Sequence, residues 1–273
     1  MLCFRMTILC RMRQTVRCLT NVKVLPSYSG CTEVWQQMTT IYTGEESIGQ
    51  IVTEHHAASN LLKEYRIDFC CGGDRALRDV LQQQEIEPTA FLKRLNMIVA
   101  LAEQDDSGTD YRSLSLGELT AHIVHRHHAY LKEELPVLGE FVSKIMRVHG
   151  PNHHELKELY HLYFDMKAEL DEHLAAEEAG IFPYIHEYER SSSTRALEQA
   201  VQAIEVLETD HDQVGDILKL MRTVTHDYAL PPDACRTYTL AYQKLEQMES
   251  DLFEHIHLEN NILFPRLLEA AKS

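Results

Sequence analysis

The sequence predicts an all-α protein: an up-down four-helix bundle over residues 113–272, preceded by a small helical domain over residues 45–103. Three observations carry this reading. A pattern H-x-x-x-E, followed five residues after the Glu by Phe-Pro, occurs twice, as His173, Glu177, Phe182, Pro183 and as His255, Glu259, Phe264, Pro265. A further His precedes each copy at nearly the same distance, His128 by 45 positions and His211 by 44. The midpoints between successive His residues of this series fall on turn sequences: Gly150-Pro151, Ser191-Ser192-Ser193 and Pro232-Asp233. Residues on consecutive antiparallel helices share a level when both are equidistant from the joining turn. Four helices therefore bring His128, His173, His211, His255, Glu177 and Glu259 to one layer, the way bundle cores assemble metal sites.

Taken in order, the chain opens on a segment unlike the rest. Residues 1–37 hold five basic residues and no acid before Glu33. That composition resembles a transit peptide; the alternative is an over-extended reading frame with its start at Met38, and the segment is expected to be disordered or untranslated. From Ile48 to Leu101 apolar residues recur at helical spacing, as Ile48, Ile51 and Val52 and as Phe91, Leu92, Leu95, Ile98 and Val99. Between them lies Asp68-Phe69-Cys70-Cys71-Gly72-Gly73, ahead of Leu77, Val80 and Leu81. The two glycines suggest a sharp turn opening a helix, and a thiol near a helix N-terminus has a lowered pKa, so Cys70 and Cys71 are candidate redox or client-docking thiols as well as candidate structural ones.

Gln104 to Arg112 is polar and reads as a linker. Helix A is expected from about Ser115, which stands in capping-box spacing with Glu118, to His149. Of its clustered histidines the repeat selects His128, leaving His122, His125 and His127 exposed or in a supporting role. Helix B is expected over about His153–Glu189, helix C over about Thr194–Tyr228, and helix D from after Pro231-Pro232 to about Ala271. Pro183 and Pro265 should kink or interrupt B and D just past the Glu residues, with Phe182 and Phe264 closing an apolar shell around the layer.

The chain has 273 residues and a formal net charge of −16, which excludes nucleic acid and anionic membrane surfaces as natural partners. No stretch approaches the roughly 18 apolar residues of a membrane span. Of seven cysteines, four lie in the first 31 residues, which makes no disulfide framework and suggests a reducing compartment, the cytoplasm. On a helix, residues four apart share a face, so each H-x-x-x-E copy offers an imidazole beside a carboxylate. Such donors without thiolate suit iron, manganese or zinc, and two such pairs could bridge two ions.

These motifs together, with Leu135-Pro136 after His128, Glu208-Thr-Asp-His211-Asp212, and His255-Ile-His-Leu-Glu259-Asn260-Asn261 running on to Phe264-Pro265, resemble the iron–sulfur cluster repair di-iron proteins, also called Repair of Iron Centres. The resemblance covers about residues 45–270. It implies a hemerythrin-like four-helix bundle holding two non-haem iron ions, oxo-bridged and carboxylate-bridged, with His128, His173, Glu177, His211, His255 and Glu259 as ligands and the two Glu as bridges. It implies repair of iron–sulfur clusters damaged by nitrosative or oxidative stress, by supplying iron, with damaged iron–sulfur proteins as partners, nitric oxide or oxygen as small ligands, and a homodimer as one arrangement. Nitric oxide reduction at the di-iron centre, or binding and sensing of oxygen or nitric oxide, are the alternatives. The ferritin-like di-iron pattern of two E-x-x-H pairs finds one match at a proposed ligand, Glu208 to His211.

Overall fold

The computed structural model describes residues 42–103 and 109–272, so the expectation for residues 1–37 and most of the expected linker lie outside the described residues. Among the described residues the chain is helical and holds no strand. The small N-terminal region comprises α1 (Ile48–Glu54), α2 (Ala58–Glu64), α3 (Leu77–Gln83) and α4 (Pro88–Ala102). Two of the four starts, those of α1 and α4, have a side-chain cap. The Ser47 side chain accepts from Gln50 N at the head of α1, and Glu87 accepts from Thr89 N and Ala90 N ahead of Pro88 in α4. Their apolar faces close on one another through Ile48, Ile51, Leu62, Leu77, Leu81, Phe91 and Leu95, each buried side chain of this kind contributing about 2 kcal/mol.

Four long rods follow. Rod A is α5 (Leu116–Ile123), a π turn (Val124–His128) and α6 (Ala129–His149). Rod B is α7 (Glu155–Ala176), a π turn (Glu177–Ile181) and α8 (Phe182–Ser191). Rod C is the uninterrupted α9 (Thr194–Val224), and rod D is α10 (Arg236–Leu258), a π turn (Glu259–Leu263) and α11 (Phe264–Ala270). Ser115 and Glu118 form the reciprocal capping box expected at the head of A. Ser192, at φ 53°, and the Ser193 side chain, which accepts from Ala196 N, make the B–C turn.

Two differences from the sequence expectation have physical causes. Rod C stops at Val224 instead of Tyr228, because the Thr225 hydroxyl donates to the Met221 carbonyl at 2.7 Å and accepts from Tyr228 N at 3.1 Å, turning the chain through three residues of positive φ, His226 to Tyr228. At Pro183 and Pro265 the interruption expected in B and D just past the Glu residues takes the form of a π turn instead of a break in the rod. Each proline follows this turn, whose five-residue hydrogen bond, Phe182 N to Glu177 O and Phe264 N to Glu259 O, accommodates the missing proline donor one residue later.

The bundle has two apolar cores. One contains Leu119, Ile123, Ile185, Leu197, Leu263 and Leu267; the other contains Leu135, Leu138, Leu159, Tyr163, Leu218 and Leu245. The histidine and glutamate layer lies in sequence between them on every rod.

Candidate metal centre

The six residues selected by the repeat converge. Ligand atoms of His128, Glu177, His255 and Glu259 all lie within 4.8 Å of one another, as do those of His173, Glu177, His211 and Glu259. All six side chains are buried. The two carboxylates belong to both groups, so the layer is two four-donor sites sharing a pair of Glu residues. A shift of 82 positions carries rod B onto rod D, and His128 onto His211 within one residue; this operation exchanges the two sites.

Hydrogen bonds on the outer edge of three of the four imidazoles direct where their lone pairs point; His255 Nδ1 is buried without a partner. His128 Nδ1 donates to Glu178 Oε1 at 2.8 Å, His211 Nδ1 to Asn260 Oδ1 at 2.8 Å and His173 Nδ1 to Asp210 Oδ2 at 3.4 Å. With the proton held on Nδ1, Nε2 faces inward as a bare acceptor. The inner nitrogens then meet each other, His128 Nε2 against His255 Nε2 at 3.2 Å and His211 Nε2 against His173 Nε2 at 3.0 Å. Both Glu177 oxygens and Glu259 Oε2 are buried without a hydrogen-bond donor. Buried carboxylates left this way cost several kcal/mol each, and lone pairs facing lone pairs are unfavourable. A cation between them removes both penalties, so the donor set fits a metal.

The protonation pattern agrees. Burial, with the His211 imidazole alongside, pulls His173 down to about 3. Burial and the neighbouring Glu259 push Glu177 well above the usual carboxylate range, while Glu259, opposed by burial, is held well below it by His255 and His211. In a dry layer the two carboxylates cannot both stay ionised without positive charge between them.

The π turns explain the Phe of the repeated motif. Five residues beyond a Glu lies about 140° away around a regular α-helix, but the π turn brings Phe182 N over Glu177 O. Phe182 then stacks on His128, with ring centroids 5.7 Å apart, and Phe264 stacks on His211 at 6.1 Å. Of the remaining rod A histidines, His125 is exposed, whereas His127 is buried, stacks on His255 at 5.6 Å and pairs with Asp251 at 3.1 Å. Glu208 is exposed and outside both donor groups, so the E-x-x-H reading has no support.

The paired cysteines sit beside this layer, and Cys70 does not have the lowered pKa that is one of the two expectations for it. Cys70 and Cys71 are free, with Sγ atoms 3.7 Å apart, in a loop six residues ahead of α3. Asp68 Oδ1 accepts from the backbone N–H groups of Cys70, Cys71 and Gly72. Cys70 is buried, and burial together with Cys71 and Asp68 pushes its thiol well up, the reverse of helix-terminus activation. The glycines serve close approach. A Cβ on Gly49 would stand 2.1 Å from Asn261 Oδ1 and one on Gly73 2.6 Å from it, so Asn261 of rod D fills a notch between two glycines and donates to the Phe69 and Cys70 carbonyls at 3.2 Å.

Asn260 links the regions. Its Oδ1 accepts from His211 while its Nδ2 reaches the Cys70 carbonyl at 3.5 Å, and Cys71 Sγ lies 3.5 Å from the His211 carbonyl. Buried His257, whose ring meets Phe69 at 5.6 Å, completes this contact. Sequence reasoning missed Asn260, Asn261 and His257 as contact residues; Glu178 and Asn260, each following a repeated Glu, were the available signal.

Among the described residues no helix is long and apolar enough to cross a membrane. The profile of the hemerythrin HHE cation binding domain matches residues 119–267, and that of the ScdA_N domain, a domain of unknown function, matches residues 44–99. The chain is 32% identical over 222 residues to the iron-sulfur cluster repair protein ScdA of Staphylococcus haemolyticus, covering 81% of this chain and 97% of the relative. It is 34% identical over 224 residues to the iron-sulfur cluster repair proteins YtfE of Citrobacter koseri and of Escherichia coli O81, covering 82% of this chain and 97% of each relative.

Proposed function

The chain belongs to the iron–sulfur cluster repair family of hemerythrin-like proteins, and on that premise we propose that it restores damaged iron–sulfur clusters by supplying iron from a two-iron centre. The observation that carries the reading is the pair of buried four-donor groups that share Glu177 and Glu259. In this reading His128 and His255 would hold one non-haem iron and His173 and His211 the other, with Glu177 and Glu259 available to both. The bound ions supply redox chemistry and open positions for a diatomic ligand such as nitric oxide or oxygen.

The residues of the chain do the rest. Glu178, Asp210 and Asn260 hold protons on the outer imidazole nitrogens, so that the inner ones stay available. Phe182 and Phe264 keep water from the ligand rings on both sides. Four imidazoles and two shared carboxylates give each ion four protein donors, and this sparse hold suits release of iron. Cys71, the partly exposed thiol beside buried Cys70, meets the damaged client at the rim of the His211 half. The free thiols Cys70, Cys71 and Cys235 suit a reducing cytoplasm. The relatives' repair names favour this reading over nitric oxide reduction or oxygen carriage.

The test is iron per chain in protein purified without oxygen, alongside reactivation of an iron–sulfur enzyme inactivated by nitric oxide. About two irons in the parent, a marked loss in His173→Ala and reactivation by the parent alone are expected. Full metal content in His173→Ala would refute the ligand assignment, and an iron-loaded parent that fails to reactivate the enzyme would refute repair.

A further inference from the structure

A second cluster of ligating side chains lies at the far end of the bundle, where the A–B turn meets the C–D connection. His149 ends α6, and His153 follows in the turn, its backbone N–H donating to the His149 carbonyl at 2.9 Å. Asp233 and Cys235 arrive from the other connection, Cys235 as the residue that opens α10. Ligand atoms of His149, His153 and Asp233 lie within 4.8 Å of one another. His149 Nε2 is 3.2 Å from Cys235 Sγ, and His153 Nε2 is 3.0 Å from Asp233 Oδ1. His149 lies 21 positions beyond His128, about 30 Å along the helix, so this cluster is separate from the buried layer.

We propose that His149, His153, Asp233 and Cys235 form a structural site for one divalent ion of the zinc class, which fastens the A–B turn to the C–D connection. Two nitrogens, one carboxylate oxygen and one sulfur are a zinc-type donor set, and tetrahedral bonds of 2.0–2.3 Å place donors about 3.3 Å or slightly more apart. The 3.0 and 3.2 Å contacts are already near that spacing.

Three further features prepare the site. Glu155 Oε1 stands 3.1 Å from His153 Nδ1 and so directs Nε2 toward Asp233, as outer carboxylates do for metal-binding imidazoles. Both rings rest edge-on against buried Tyr238, at 5.2 Å for His149 and 5.9 Å for His153. Backbone N–H groups at the head of α10 and the His149 imidazole lower the Cys235 thiol to about 7, so thiolate is accessible at neutral pH. Ion uptake displaces the protons shared in the His149–Cys235 and His153–Asp233 contacts to solvent, and four protein–ion bonds replace them.

The experiment is a titration of the iron-loaded full chain with cobalt(II) as the spectroscopic probe, followed by zinc(II) competition. Expected is one added equivalent with a thiolate-to-cobalt charge-transfer band, displaced by zinc, together with a raised unfolding temperature. The band should vanish in Cys235→Ser and persist in a Cys70→Ser, Cys71→Ser double variant. Affinity should fall at least about ten-fold in His153→Ala and in Glu155→Gln. Cys235 is exposed, so its variant folds and the loss of the band reads on ligation. Absence of the band in the parent, or its survival in Cys235→Ser, would overturn the site and leave His153 as a surface ion-pair partner.

Discussion

Rods B and D carry the same motif 82 positions apart, yet their outer faces meet different surroundings. On rod D, His257, Asn260 and Asn261 are covered by the cysteine loop, its glycine notch and Phe69. The equivalent residues of rod B are Ala175, Glu178 and Ala179, which with Lys132, Asp171 and Leu174 line an open recess of about 350 Å³. Glu178, bonded to His128, is tied outward to Lys132 at 2.6 Å. The donors are duplicated and their supports are not. One half of the centre is therefore backed by thiols and an amide, the other by a partly exposed carboxylate and a lysine.

The largest effect should come from removing what the halves share. Glu259→Ala takes a donor from both groups, so both should empty together, whereas His173→Ala should spare the His128–His255 half more than its own. Metal analysis with a spectroscopy that resolves the two irons decides this; selective emptying of one half by Glu259→Ala would contradict the shared-carboxylate geometry.

A smaller effect should appear at His257, which rod B replaces with Ala175. Burial pulls its imidazole from 6.5 down to about 4. Between those values the unfolded chain binds the proton and the folded one does not, so stability falls as pH drops through 6.5 toward 4. The contribution is at most about 3 kcal/mol over that window. His257→Leu should flatten the dependence by this amount in chemical unfolding at a series of pH values. An unchanged slope would mean that His257 is protonated in the folded protein.

The smallest effect is expected at the two residues that differ behind the histidines, Glu178 and Asn260. Asn260→Asp gives His211 an anionic partner like the Glu178 of His128, and should bring the two irons closer in their spectra while altering metal affinity by about ten-fold. Glu178→Gln should do the converse from the other half. If Asn260→Asp left the His211 half unaltered, Asn260 would be only a docking residue.

The convergence of the six donors was legible because an identical spacing repeated around turn residues leaves few other arrangements. The capping box at Ser115 and the apolar faces of α1 and α4 were legible for the same local reason. The π turns were not, since Pro183 and Pro265 signal a disturbance without saying that the chain absorbs it by widening one turn. The burial of Cys70 and the seating of Asn261 between Gly49 and Gly73 arise where segments about 190 positions apart meet. No local periodicity encodes such a contact. The end-of-bundle cluster is of the same kind, with His149 and Cys235 86 positions apart.

Each of the π turns of rods B and D also acts as a counting device. It holds one residue more than the α-helical turn it replaces, so its length is a heritable spacer between Glu and the Phe-Pro that follows. Wound as regular α-helix, the same five residues would swing the phenyl ring off its histidine by about 100°, whereas a single-codon deletion between Glu177 and Phe182, or between Glu259 and Phe264, would remove the widened turn and keep the ring on the same face. In descendants of this chain the number of residues in the interval and the width of the turn are therefore tied, so that a change of length there goes with a change of turn and not by itself.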